Sequence, residues 1–197
     1  MARVSPQYRD SRRRQILDGA RRCFLAKGFR AASMQDVSGD VGLSTGAVYS
    51  YFSGKEALIA DVAADAAGRL GRIIVAAAVA EPFPTVNELL DRILANPALA
   101  EDCDGSARLL IQVWSECLHN PALTDRLRSA WAELVEELLE YGQRLKNHAT
   151  PLGGASAEHL VRAVIGIVQG LLVQRALLGP TSGDAIREGL SDLVVRM

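Results

Sequence analysis

Two serines placed eleven residues apart, with a glycine between them, leave the middle of this chain's first third little choice of structure. Ser33 and Ser44 each precede a short run whose apolar residues recur at helical spacing, and a serine there accepts a hydrogen bond from a free backbone N–H of the next turn. Gly42 permits the sharp reversal between the two runs. In the first run Val37 and Val41 point inward, Ser38 is small enough for a close helix crossing, and Asp36 meets the positive end of the helix. In the second, a helix of about two turns starts near Thr45, and Val48 and Phe52, four apart, pin it to a core. Thr45, Gly46, Tyr49 and Ser50 are left to face outward, and small or hydroxyl-bearing side chains suit close approach to a nucleic-acid groove.

The flanks extend the pattern. Asp10 or Ser11 is expected to cap a preceding helix in which Ile16, Ala20, Cys23 and Phe24 form one apolar face; Lys27-Gly28 ends it and Phe29 returns the chain to the core. Three helices with a tight turn before the last make a helix-turn-helix head. Charge agrees with that reading. Residues 1–60 hold ten Lys/Arg against five Asp/Glu, or +5, while residues 61–197 hold twelve against eighteen, or −6, so the net −1 conceals a basic amino-terminal third. Concentrated cations, not total charge, are what a polyanion requires. With 49% hydrophobic, 23% charged and only 5% aromatic residues, and few prolines, the chain has the makings of a packed all-α protein and almost no strand signal.

The run Val37-Ser38-Gly39-Asp40-Val41-Gly42-Leu43-Ser44-Thr45-Gly46-Ala47-Val48-Tyr49-Ser50-Tyr51-Phe52-Ser53-Gly54-Lys55-Glu56-Ala57-Leu58 resembles the signature of the tetracycline-repressor (TetR) family of bacterial transcription regulators. Ile16-Leu17-Asp18-Gly19-Ala20 and Phe24-Leu25-Ala26-Lys27-Gly28-Phe29 are similar to that family's first helix. Together they cover residues 10–60. Gly39, Asp40 and Thr45 depart from the pattern, Thr45 standing where a lysine is common, so base reading is expected to lean on Thr45, van der Waals contact and water. The resemblance implies DNA contacts from Ser33, Met34 and Gln35 at the start of one helix, Ser44, Thr45, Gly46 and Ala47 at the start of the next, Tyr49, Ser50 and Tyr51 on phosphate, and Lys55 at an anion-binding helix start. Arg12, Arg13 and Arg14 are further phosphate candidates.

Beyond residue 60 the sequence is periodic but carries no chemical motif. A long helix from Lys55 to Ala80 is stopped by Pro82 and Pro84; further helices are expected at Thr85–Asn96, Ser106–His119 and Pro121–His148, then a loop over Thr150–Ala155. Ser156–Leu178 is apolar over most of its circumference, and Ile186, Leu190, Leu193, Val194 and Met197 form a stripe after it. The division is a DNA-binding domain over residues 10–70, with the helix-turn-helix at residues 33–52, and a helical ligand-binding and dimerisation domain over residues 71–197, with about nine helices in all. By the family resemblance the last two helices pair with their twins, with Val164, Val168, Leu171, Leu172, Ile186, Leu190, Leu193 and Val194 at the interface, so that a homodimer presents two heads to a palindromic double-stranded operator. It also implies a pocket for a small apolar or weakly polar effector, for which Leu110, Trp114, Cys117, Trp131, Val135 and Gln169 are the candidates. The alternative is a DNA-binding regulator with no small-molecule inducer.

Catalysis has no foothold in the pattern. His119, His148 and His159 are dispersed, Glu136, Glu137 and Glu140 read as a solvated face, and no cofactor or metal motif is present. Cys23, Cys103 and Cys117 lack C-x-x-C spacing and read as buried thiols; Cys117 and His119 alone are too few for a metal. Leu160–Leu178 is interrupted by Arg162, Gln169, Gln174 and Arg175, and no leader-like apolar run follows the first arginines, so a cytoplasmic protein without membrane contact is expected.

Overall fold

A computed structural model describes residues 5–96, 103–148 and 155–178, together with the single position Gly189. Among the described residues there are nine helices and no strand. They are α1 (Pro6–Ala31), α2 (Met34–Asp40), α3 (Thr45–Tyr49), α4 (Lys55–Val79), α5 (Val86–Leu94), α6 (Cys103–Cys117), α7 (Pro121–Glu137), α8 (Leu139–His148) and α9 (Ala157–Leu178).

The first helix starts earlier than Asp10 or Ser11. Ser5 caps it, its hydroxyl accepting from the Tyr8 N–H at 3.2 Å, and Pro6 takes the first helical position, where a missing N–H is harmless. Near its end Gly28 leaves helical geometry at φ 78°, ψ 163°, which swings Phe29 inward to meet Phe24 edge to face at 5.0 Å. Ile16, Ala20, Cys23 and Phe24 are all buried, and Val37, Val41, Val48 and Phe52 close the same core from α2, α3 and the turn that follows. Burial also pushes the Cys23 thiol up from its ordinary pKa, in keeping with an inert apolar role.

Glycine decides how closely these helices meet. A Cβ built on Gly19 would lie 2.3 Å from Cγ1 of Val41 and 2.9 Å from the Asp40 carboxylate, so α2 crosses α1 at a distance only glycine permits. Gly142 plays the same part in the body, where a Cβ would lie 2.5 Å from the Ala157 carbonyl oxygen and 2.8 Å from Cγ2 of Val161.

The α4 helix belongs to both halves: Leu58 and Ile59 are buried beside the head, and Ile74, Ala77 and Ala78 are buried in the body. The end of α4 and the turn after it are held by Arg92 of α5, whose guanidinium donates to Ala77 O, Ala80 O and Pro82 O at 3.3, 2.9 and 2.8 Å. The helix expected over Pro121–His148 is two helices, broken at Leu138, where φ −97° and ψ 0° close α7. The break frees α8 to lay Gly142 against α9, an arrangement that helical periodicity alone does not foresee.

Around the body, α4 packs on α5, α6 and α7, and α9 packs on α6 and α8. By length and composition α9 could cross a membrane, yet Val161, Val164, Ile165, Val168, Leu171 and Leu172 are buried within the chain. The stripe at Ile186, Leu190, Leu193, Val194 and Met197 lies outside the described residues.

Candidate DNA-binding face and effector cavity

Both short helices of the head are anchored by the serines that announce them. Ser33 accepts from the Asp36 N–H at 3.2 Å while the Asp36 carboxylate accepts from the Ser33 N–H at 2.8 Å, and Lys27 Nζ sits 2.6 Å from the same carboxylate. That ammonium, then the Ser33 hydroxyl and N–H, hold the Asp36 carboxyl down from 3.8 to about 2. Ser44 accepts from the Ala47 N–H at 3.2 Å, and Gly42 makes the turn between α2 and α3 at φ 66°.

Of the residues expected on DNA, Ser33, Gln35, Ser44, Gly46, Tyr49 and Ser50 are exposed, and Thr45, Ala47, Tyr51 and Lys55 are half-buried. Met34 is not available. It is 8% exposed and packs in the core of the head, because the first helical position after the Ser33 cap turns inward here. Thr45 has a second task. Its hydroxyl lies 3.1 Å from that of Ser38, whose single proton goes to the Gln35 carbonyl, so Thr45 donates to Ser38 and keeps its lone pairs for an incoming donor. Ser50 donates to Ala47 O at 2.7 Å. Tyr51 packs against the core, whereas Tyr49 is half exposed with its ring outward at the end of α3.

The cations are more committed than their number suggests. Lys55 donates to the Arg30 carbonyl at 2.8 Å, tying α4 to the end of α1 rather than standing open as an anion site. Arg13 pairs with Asp61 and lies over the Phe52 ring at 5.1 Å, Arg22 pairs with Asp40 at 2.5 Å, and Arg12 donates to Tyr8 Oη and Gln15 Oε1 at 2.9 and 2.7 Å. Gln15 in turn donates to Val41 O at 3.2 Å, holding the turn before α3 against α1. These pairs take up charge but fix the scaffold.

In the body a cavity of about 380 Å³ lies between α4, α6, α7 and α9. Leu110, Trp114, Trp131 and Gln169 line it as expected from the sequence, beside small residues of α4 such as Ala63, Ala67, Gly68 and Gly71. Cys117 and Val135 do not line it. Cys117 sits a turn too far along α6, near Thr124 of α7, and Val135 is turned into the core. The lining is also less neutral than anticipated, since Arg72, Arg126, Glu133 and Glu137 reach it. Arg126 lies 3.7 Å from Asp61, the carboxylate that also holds Arg13 over Phe52.

The outward side of α9 is not the one the sequence suggested. Val164, Val168, Leu171 and Leu172 are 7% exposed or less, packed inside their own chain, while Ala163, Gly166, Gly170, Gln174 and Leu177 are exposed and Ile167 and Val173 half-buried. Over the middle turns Val164, Val168, Leu171 and Leu172 went to the intrachain core and Ala163, Gly166 and Gly170 to the surface, a choice hydropathy alone cannot make.

A family model described as bacterial regulatory proteins, tetR family, matches residues 16–62, and one described as BetI-type transcriptional repressor, C-terminal, matches residues 86–197, more than half of the chain. The chain belongs to the TetR family. The HTH-type transcriptional repressor Rv1474c of Mycobacterium tuberculosis is 38% identical over 73 residues, 37% of this chain and 39% of that protein. The match thus spans less than two fifths of that relative's length. Among solved structures, Salmonella enterica GusR superposes with a TM-score of 0.74 at 20% identity, over 98% of this chain and 99% of that one. A transcriptional regulator from Saccharomonospora viridis in complex with choline gives 0.70 at 20% identity, over 94% and 96%. At that identity the likeness is one of fold. Members of the TetR family are DNA-binding regulators that act as dimers, not enzymes, and the described geometry matches such a head on such a body.

Proposed function

We propose that this chain represses transcription by seating two copies of α3 on a palindromic operator, and that a small molecule in the body cavity releases it. The observation that carries the reading is where the cavity lies: it opens against α4, whose first turns are buried in the head and whose later turns wall the cavity. An occupant that favours one placement of α4 over another necessarily biases the head. The Arg126, Asp61, Arg13 and Phe52 contacts give that bias a second route, from the cavity wall to the end of the recognition helix.

On DNA, Thr45, Gly46 and Ala47 meet base edges, the Thr45 methyl suiting thymine and its free lone pairs an amino group, with Gln35, Ser33, Ser44, Tyr49 and Ser50 on the flanking backbone. Two heads require a dimer, and the exposed stripe of Ala163, Gly166, Gly170, Gln174 and Leu177, spaced three or four residues apart, is the face of α9 that pairs. The cavity walls suit a small apolar or weakly polar effector; two indoles with Glu133 and Glu137 also accommodate a cationic end, consistent with the choline held by the relative of the same fold.

Two measurements test this together. Duplexes selected from a random pool should be palindromic and their binding should weaken steeply with salt. A metabolite screen by thermal shift, choline included, should find a compound that stabilises the protein by about 2.7 kcal/mol at a hundred times its Kd and also lowers operator affinity. A protein that binds selected duplexes but that no compound both stabilises and releases would instead be a regulator without an inducer.

A further inference from the structure

The break at Gly28 disturbs the hydrogen-bond ladder of α1, and one side chain from the middle of the sequence repairs it. The Phe29 N–H donates to Gln112 Oε1 at 3.0 Å, and Gln112 Nε2 donates back to the Phe24 carbonyl at 3.3 Å. These bonds span 83 and 88 residues of sequence. A planar amide that gives one bond and takes one on either side of the Gly28 break in α1 fixes rotation as well as distance, which a lone contact does not. Glutamine fits the task and its isosteres do not: glutamate lacks the donor and methionine lacks both functions.

Gln112 stands on α6 between Leu110 before it and Val113 and Trp114 after it, all three of which line the cavity. The head meets the body through α1 on α6 and through the continuous α4. With α4 as the shaft, the Gln112 amide is a directional contact between α1 and α6 that resists turning of the head about it. We infer that Gln112 is a positioning residue that sets the angle of the DNA-binding head on the body, and thereby the separation of the two heads in the dimer. The inference rests on the two-headed reading above. Because reading successive major grooves demands one separation, a small rotation at Gln112 costs two-headed binding without touching any DNA contact.

The test uses the full-length protein and duplexes selected from a random pool, each made as the selected palindrome, as the same palindrome with one base pair inserted between half-sites, and as a single half-site. Wild-type protein should prefer the selected spacing by about tenfold or more, since the second head binds as a tethered ligand. Q112M, close in shape but without either hydrogen bond, should lose about tenfold on the selected palindrome, stay within about twofold on the half-site, and discriminate spacings by less than about threefold. Q112E, which keeps the acceptor for Phe29, should fall between. Should Q112M lose its helical spectrum, Q112N, one methylene too short to span both groups, carries the same comparison. Equal losses on half-site and palindrome would make Gln112 a residue that merely keeps the head folded, and unchanged spacing discrimination in a folded variant would overturn the inference outright. A wild-type protein indifferent to spacing would sink the two-headed reading instead.

Discussion

Single side chains in the head do two jobs at once, and geometry says which job dominates. Lys55, placed by its position in the motif to bind phosphate, spends its ammonium on the Arg30 carbonyl, whereas Tyr49 is half exposed at the end of α3. Tyr49→Phe should therefore weaken operator binding about fivefold, the worth of one hydroxyl bond of about 1 kcal/mol, with unchanged urea unfolding. Equal affinity in a direct titration would remove the residue from the interface. Asp36 yields a prediction about acid. Its carboxyl is held at about 2 against 3.8 when free, first by Lys27 and then by Ser33. The unfolded chain therefore binds the proton more readily, so the stability this group contributes is complete above the free value and is lost as pH falls from 3.8 through about 2. Urea midpoints followed through that window should fall less steeply for Asp36→Asn than for the wild type, and parallel curves would count against the Lys27 pair.

Helices here are defined by their caps and placed by their glycines. Ser5, Ser33, Ser44 and Thr85 each satisfy a free N–H at a helix start, and the Ser33 and Thr85 caps are reciprocated by Asp36 and Glu88. How the helices cross is another matter. Gly19→Ala would gain up to about 1 kcal/mol of helix propensity in α1. It would also force Val41 away from a site 2.3 Å from the new methyl, and overpacking of that kind costs about 1–3 kcal/mol. Sterics win because Val41 is itself buried and Asp40 is tied to Arg22. The variant should unfold earlier in urea and bind operator more weakly, since α2 carries the turn into α3. A more stable Gly19→Ala protein would show that α2 is freer to move than its contacts imply.

Assembly turns on which side of α9 is left outside. With Val164, Val168, Leu171 and Leu172 consumed by the chain's own core, the proposed pairing surface is narrow, and its Ala163, Gly166 and Gly170 let two backbones approach. Gly170→Glu places a charge on that stripe, where an added Cβ meets nothing within its own chain. It should leave the fold intact, shift the protein to monomer by sedimentation, and lower affinity for the palindrome by about a hundredfold or more while sparing the half-site. A Gly170→Glu dimer would move the interface elsewhere.

Much of this was legible in the residues alone. Cap chemistry and 3.6-residue periodicity act within a few positions of each other, so Ser33, Gly42, Ser44, Val48 and Phe52 define the head and its turn without knowledge of anything distant, and the basic bias of residues 1–60 fits a phosphate-binding head. Leu110, Trp114, Trp131 and Gln169 were likewise readable as cavity lining from their size and isolation. What required the folded chain are facts about pairs far apart in sequence: Gly19 against Val41, Gln112 against Phe24 and Phe29, the break at Leu138, the charged residues at the cavity, and which face of α9 turns inward. An apolar stripe announces only that it will be covered, not by what. The partner is chosen by how whole helices pack, because burying the larger side chains within one chain and leaving glycines outside is a property of the assembled core that no local pattern encodes.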